Sequence, residues 1–248
     1  YSSFDSYWRD RDMQSLEIRA DSDQQHWRWA VGGFLKQEEE TLRRRYTYLE
    51  NDFSSALDID TGAIFGQVDI NLSETVTAYL GGRVEQRKAD YADNAGVNNA
   101  LTDNLWSGRI GVDWAPSDQQ NLYLSISRGV RAGGPNSTLL SNLPSLHSST
   151  NTSLSNLGQF EEESLINTEV GWRWQNVNGT LQSALTLFSM ERQDQQVKQS
   201  LTIAREDGST QFIEYTDNAA KGHNRGIEWQ GAWTLSPELQ ISTSFGFL

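Results

Sequence analysis

Cysteine is absent from all 248 residues, which removes disulfides, thiolate metal sites and cysteine nucleophiles together. Long apolar runs are absent too. No stretch approaches the roughly 18 consecutive apolar residues of a membrane-crossing helix, and the mean hydropathy is negative. For a helical protein that would read as soluble. It says nothing against strands, because in a membrane β-barrel only alternate residues face lipid. Basic residues are scarce: 20 Lys and Arg stand against 33 Asp and Glu, a net charge of −13. That balance is wrong for a nucleic-acid surface. Histidine occurs only at His26, His147 and His223, with neither an HExxH pair nor a paired carboxylate–histidine spacing. No catalytic site, metal site or cofactor is expected, and an enzyme is not expected. Gly129, Gly133 and Gly134 follow a strand but open no helix, so they form no phosphate loop. Asp58, Asp60 and Asp69 lack any calcium-loop motif around them and read as solvated loop acids. No charged segment followed by an apolar one opens the chain at Tyr1, so no signal peptide is expected within it. The chain stops at Leu248 inside an alternating apolar run. Both ends are expected to be internal to a longer protein.

What the sequence has in abundance is alternation with a period of two. Val76, Ala78, Leu80, Gly82 and Val84 alternate with Thr77, Tyr79, Gly81, Arg83 and Glu85. Trp106, Ile110, Val112 and Trp114 share one parity against Ser107, Arg109 and Asp113. The same pattern returns at Leu122–Ser127, Ile166–Trp174, Ile227–Leu235 and Leu239–Phe247. Period two is the signature of a strand with two unlike faces. It predicts about ten strands, near 10–20, 27–37, 60–72, 75–89, 103–115, 120–131, 162–175, 180–195, 222–235 and 239–248. Phe4–Trp8 reads as the end of an earlier strand or as loop. Leu181–Met190 alternates poorly, with apolar residues on both parities, so its register is open.

The connections fix the architecture. Short turns fall at Asp21–His26, Ser73–Glu74, Pro116–Gln120, Gln175–Gly179 and Ser236–Glu238, and long polar stretches at Glu38–Ile59, Lys88–Thr102, Ala132–Glu163 and Arg192–Lys221. Short and long alternate strictly, as in an outer-membrane barrel with short periplasmic turns and long extracellular loops. Trp27, Trp29, Trp114, Trp172, Trp174 and Trp233 sit near the short turns with the apolar parity of their strands. Trp106 lies on the same face as Trp114, about 26 Å away along an extended strand. Indoles at two lipid–water boundaries make an aromatic girdle. Glu38–Glu40 followed by Arg43–Arg45 reads as a short helix or an ion-paired hairpin, and Leu139–Leu157, rich in Ser, Asn, Leu and Thr, as a mobile or partly disordered cover.

Several segments also resemble one family. Leu122–Arg131 running into Ala132-Gly133-Gly134-Pro135-Asn136 resembles the strand and loop start of TonB-dependent receptor barrels. Glu163–Gly171 looks like the strand that follows there. Tyr215–Ala220 with Gly226-Ile227-Glu228 is similar to a later segment, and Ser15–Arg19 and Gly62–Gln67 to earlier ones. The order and spacing agree across nearly the whole chain. The resemblance implies an all-β fold: an antiparallel transmembrane barrel segment, part of a barrel of about 22 strands with a plugged lumen. It implies residues 1–248 as a partial barrel domain without plug, signal peptide, TonB box or final strands. It implies a multi-pass protein of the Gram-negative outer membrane that binds and imports a scarce ligand, a ferric siderophore first, with cobalamin, haem, oligosaccharides or plant-derived aromatics behind. Energy would come from the TonB–ExbB–ExbD system acting through plug and TonB box, with lipid and lipopolysaccharide around the wall. A passive porin-like or adhesin-like barrel is the alternative, and a soluble β-sandwich enzyme a more distant one.

Candidate ligand contacts are the polar residues of lumen parity: Arg83, Arg87, Arg109, Arg131, Glu169 and Arg173, with Glu85 and Glu228 beside them. A walled cleft of one sign focuses the field on an anionic chelate. The other reading is that these groups pair with one another, or with a plug. Arg128 has the opposite parity and lies near the rim, where a long side chain can snorkel.

Overall fold

The computed structural model describes residues 4–47, 52–140, 142, 154, 157–204 and 210–248. Branched and aromatic residues alternating with small or polar ones favour an extended, pleated backbone. The chain accordingly forms β1 (Asp5–Asp23), β2 (Trp27–Tyr46), β3 (Phe53–Asn71), β4 (Val76–Asp93), β5 (Asn98–Ser117), β6 (Gln120–Arg131), β7 (Gly134–Pro135), α1 (Ser137–Leu140), β8 (Gln159–Phe160), β9 (Glu163–Gln175), β10 (Leu181–Ala204), β11 (Thr210–Ser236) and β12 (Leu239–Phe247). One antiparallel sheet of 10 strands runs in the order β1-β2-β3-β4-β5-β6-β9-β10-β11-β12, and β7 pairs only with β8. It is an up-and-down wall with two edges, β1 and β12.

The register carries one face across the whole wall. Trp27 lies opposite Ile70, Ile70 opposite Ala78, Ala78 opposite Val112, and Val112 opposite Leu124. The row goes on through Val170, Leu187, Ile227 and Phe247. A slip of one residue in any strand would turn its apolar set to the other side. Leu181–Met190 fits without a shift: Leu181, Leu185 and Leu187 join the apolar row, while Phe188 and Met190 face the other way. These apolar residues are exposed, Ile64 at 66%, Leu80 at 56% and Ile110 at 55%. A contiguous apolar band this wide is an interaction surface, not a water-facing one.

The band ends sharply. Above Leu35, Gly62, Val84 and Trp106, the next residues of the same face are Gln37, Asp60, Gln86 and Asn104. Gln37 pairs with Asp60, and Gln86 with Asn104, whose side-chain amides bond at 3.0 Å. The strands do not end there. Most of Glu38–Ile59, Lys88–Thr102 and Arg192–Lys221, expected as loops, is strand. The reason is that alternation continues with inverted content: above the band the apolar residues take the opposite parity. Phe53, Ile59, Ala89, Tyr91 and Leu105 are buried on the polar side of the wall. Phe4–Trp8 likewise belongs to β1 apart from Phe4, and Asp58, Asp60 and Asp69 are strand residues of β3 rather than loop acids. Glu38–Glu40 and Arg43–Arg45 form neither a helix nor a hairpin of their own: both runs lie on β2 and pair with β1, with Arg9–Glu40 at 3.3 Å, Arg44–Asp5 at 2.9 Å, and Arg11 on Glu38.

Among the described residues, those of Ala132–Glu163 still form a long connection. Leu139 and Leu140 of α1 pack with Tyr91 and Ile213, joined by Leu57, Val97, Leu201 and Tyr215. Strands β3 and β4 thus meet the same few residues as β10 and β11, far along the sheet, so the wall curls around this segment. The upper core sits here, under the strap that the described residues of 132–163 lay across the polar side. Leu154 and Leu157 join it; the rest of the segment expected to be a mobile cover, residues 141, 143–153, 155 and 156, lies outside the described residues. Burial pushes the Tyr91 hydroxyl well above the ordinary tyrosine range, and the Asp93 carboxylate that accepts its hydrogen bond at 3.1 Å pushes the same way.

Candidate functional site

The polar side of the wall is built from a repeated joint. On β4, Tyr79 stands directly opposite Gly111 of β5, and on β6 Tyr123 stands opposite Gly171 of β9. In each pair the ring lies over the glycine, so that a Cβ on Gly171 would fall inside the Tyr123 ring and one on Gly111 against the Tyr79 hydroxyl. Phe65 covers Gly32 and Phe188 covers Gly226 in the same manner. An arginine then lies on the ring. Arg109 is 4.6 Å from the Tyr79 centroid and donates to its hydroxyl at 3.1 Å, and Arg173 is 5.1 Å from the Tyr123 centroid. Arg83 lies 5.2 Å from Phe34 and 5.9 Å from Phe65, with Nε donating to Glu85 at 2.9 Å.

The expected ligand contacts therefore fall into two groups. Arg83, Arg109 and Arg173 stand on aromatic rings. Arg87 pairs with Asp103 at 3.4 Å and donates to the Gly133 carbonyl at 3.1 Å, which ties the strap's root to β4. Glu169 accepts from the Asn167 amide at 2.7 Å. Arg131 is exposed at the upper end of β6, with Glu163 as its strand partner. Glu163 itself takes Arg192 at 3.4 Å and the Gln196 backbone N–H at 2.7 Å. Among the described residues no group of three or more His, Asp or Glu could hold a metal ion.

The sequence reading missed three amides that fasten the strap. The buried Asn136 donates to the carbonyls of Leu157 and Thr216, each at 2.7 Å, and accepts from the Thr216 N–H at 2.8 Å. Thr216 lies above the stretch of β11 that β12 covers, so Asn136 satisfies edge groups as a paired strand would. Gln196 donates to the carbonyls of Ala132 and Glu161, both at 2.9 Å. Asn218 accepts from Glu161 N–H at 2.7 Å and donates to the Glu161 and Asp194 carbonyls. Gln196 and Asn218 stand opposite each other at the bulge in β10, where Asp194 takes a positive φ of 52°. The signal was the Asn and Gln content itself, which carries no partner information in sequence.

Strong electrostatics also lie above the band. Glu38 is buried, which pushes its carboxyl pKa up. Hydrogen bonds from Lys36 and Arg11 outweigh that and hold it below the ordinary glutamate range. The tryptophans lie on the apolar side. Trp27, Trp106, Trp114, Trp172 and Trp233 are exposed, Trp29 and Trp174 half-buried. The Trp27 indole N–H donates to Gln24 in the turn at 2.9 Å. Trp229, on the same face and donating to Ser183 at 2.9 Å, was not foreseen in this set.

The family model for TonB-dependent receptor-like β-barrels matches residues 1–247. The chain belongs to the TonB-dependent receptor β-barrel family. No curated protein matches it. Solved structures do: the ferric yersiniabactin uptake receptor FyuA from Yersinia pestis, 16% identical, superposes with a TM-score of 0.73 over 99% of this chain and 36% of that one. The copper transporter OprC, 14% identical, gives 0.71 over 98% of this chain and 39% of its own. The ferripyoverdine receptor of Pseudomonas aeruginosa, also 14% identical, gives 0.66 over 98% of this chain and 33% of its own. This TonB-dependent receptor segment thus spans between 33% and 39% of the length of those three.

Proposed function

We propose that the chain is part of the wall of an outer-membrane receptor that binds a scarce ligand at its outer mouth and imports it, with energy delivered through TonB, ExbB and ExbD to a plug domain in the lumen. The ligand class is a ferric siderophore. The family match over 1–247 carries this reading, and the apolar band supports it, since an exposed band of this kind needs lipid. In this reading the apolar side faces lipid, the arginine-on-ring side lines the lumen, and the short turns face the periplasm. The strap and the upper strand ends lie outside, near lipopolysaccharide. Arg131, exposed beside the strap's root, is the candidate contact for an anionic chelate. Arg83, Arg109 and Arg173 serve the wall, because rings and carboxylates already occupy them.

The test is uptake of a radioiron-loaded siderophore panel by cells carrying the full-length receptor, with and without TonB. One member of the panel should be accumulated only when TonB is present. TonB-independent passage would instead favour the porin-like alternative. Arg131→Ala should weaken binding of that ligand by about 1.5–3 kcal/mol, the scale of a hydrogen bond to a charged group. An unchanged affinity would remove Arg131 from the site.

A further inference from the structure

The apolar face is not evenly filled. Across β3, β4 and β5 it opens into a groove of about 750 Å³ between Leu80 and Ile110 on one side and Val84 and Trp106 on the other. Its floor is backbone, because Gly66, Gly82 and Gly108 are successive strand partners, and the next partner in the row is Arg128 of β6. From Gly66 to Arg128 the row crosses three strand spacings, about 14 Å.

The groove is oblique to the band. Gly66 lies six residues from the first polar side chain of its face, Asp60, whereas Gly82 and Gly108 lie four from theirs, Gln86 and Asn104. At the far end Arg128 is itself the first charged residue of β6 on this face. One end is therefore deep in the apolar band and the other at its polar boundary. The Arg128 guanidinium lies over the Trp106 ring at 4.2 Å and donates to the Trp106 carbonyl. Its nearest carboxylate, Glu162, is at 3.8 Å, beyond hydrogen-bond reach. A guanidinium has five N–H donors, so donors remain for an anion. Elsewhere along the boundary acids outnumber bases: Asp12, Glu39, Asp58 and Asp90 are successive partners across β1 to β4, all exposed, and the exposed Lys88 on the same face of β4 is matched by its strand partner Asp60. A phosphate is repelled from that row and drawn to Arg128.

We propose that this groove seats one acyl chain of a phosphorylated outer-leaflet lipid, its phosphate on Arg128 and its chain over Gly108, Gly82 and Gly66. The site rests on the outer-membrane reading above. Gly82 is the point at which to fill it, since an added Cβ there meets nothing closer than the Ser107 carbonyl at 3.9 Å.

The experiment uses the full-length receptor, purified in detergent and titrated by native mass spectrometry with diphosphorylated lipid A, dephosphorylated lipid A and phosphatidylethanolamine. Wild type should retain the diphosphorylated lipid about tenfold better than the dephosphorylated one, the scale of a charge-assisted hydrogen bond. Arg128→Gln should bring that ratio to near one. Gly82→Leu should lower retention of both lipid A forms while leaving their ratio in place. Inorganic phosphate should not displace the bound lipid. A ratio near one in wild type, a ratio untouched by Arg128→Gln, retention untouched by Gly82→Leu, or displacement by inorganic phosphate would each overturn the site. Insertion into vesicles, read as a heat-modifiable gel shift on the same wild-type sample, separates the two claims. A receptor that inserts without phosphate preference defeats only the groove, and one that fails to insert defeats the membrane reading beneath it.

Discussion

Gly171→Ala in the full-length receptor should cost far more than a methyl group ordinarily does. Its Cβ would fall inside the Tyr123 ring, with Cε1, Cζ and the hydroxyl all within clashing distance and no backbone atom among the nearest three. The ring must therefore leave its place. Forced repacking of this kind costs about 1–3 kcal/mol. The displaced ring also loses Arg173, now 5.1 Å from its centroid, worth about 0.5–1 kcal/mol at an exposed site. The total is about 1.5–4 kcal/mol. Urea unfolding of the receptor in phospholipid vesicles, followed by tryptophan fluorescence, measures it. Gly129→Ala is the control, since nothing lies within 4 Å of a Cβ there, and should shift stability by no more than about 0.5 kcal/mol. Tyr123→Ala removes the obstacle, so the double variant should cost less than the sum of the singles by about 1–3 kcal/mol. If Gly171→Ala costs no more than Gly129→Ala, or the two changes are additive, the ring-over-glycine joint does not support the wall.

Other outcomes follow from the same geometry. Ile110→Arg, in mid-band, should cost about 2–4 kcal/mol in the same vesicle assay, while Asn104→Arg, on the same face of the same strand but above the band, should cost about 0–1; equal costs would remove the boundary at Trp106. Asn136→Ala strips both edge groups of Thr216 of their partner, so amide exchange at Thr216 should quicken by about tenfold, the scale of losing one or two hydrogen bonds, and unchanged exchange would mean the strap does not depend on this latch. Glu38 has a folded-state pKa below its unfolded value. Its contribution is therefore present above the ordinary glutamate pKa of 4.5 and is lost as the pH falls through the lower folded value. The gap in unfolding midpoint between wild type and Glu38→Gln should hold at neutral pH and close below about pH 4; a gap that widens with acid would reverse the sign of that argument.

Within the band the wall was legible because one solvent forces one pattern. Val76 to Val84 and Trp106 to Trp114 alternate apolar against polar, and register follows from parity alone. Above the band that rule stops holding. Asp58 and Asp90 face outward there while Ile59 and Tyr91 are buried on the other side, so alternation continues with its sign reversed and reads as polar loop. The candidate arginines were correctly put on one face by parity. What they touch was not readable, because Tyr79 with Gly111 and Tyr123 with Gly171 are pairs made by register between strands, not by spacing along one. The strap was the furthest from reach: its long span and Ser-rich composition suggested freedom, whereas Asn136, Gln196 and Asn218 fasten its stem through backbone groups that no side-chain pattern reports.

The central claim is that this chain is a membrane wall with lipid on the Trp106–Ile110 side, and spin labels test it most directly. The chain contains no cysteine, so a single introduced one is unique within it. Labels placed one at a time at each position from 99 to 114 of the full-length receptor in bilayers should report relaxation by lipid-soluble oxygen and by an aqueous nickel complex. Oxygen access should peak at 106, 108, 110 and 112 and dip at the residues between them. From Asn104 upward the even positions should pass from oxygen access to nickel access. A flat profile, oxygen peaks on the odd positions, or oxygen access that continues past Asn104 would contradict the account.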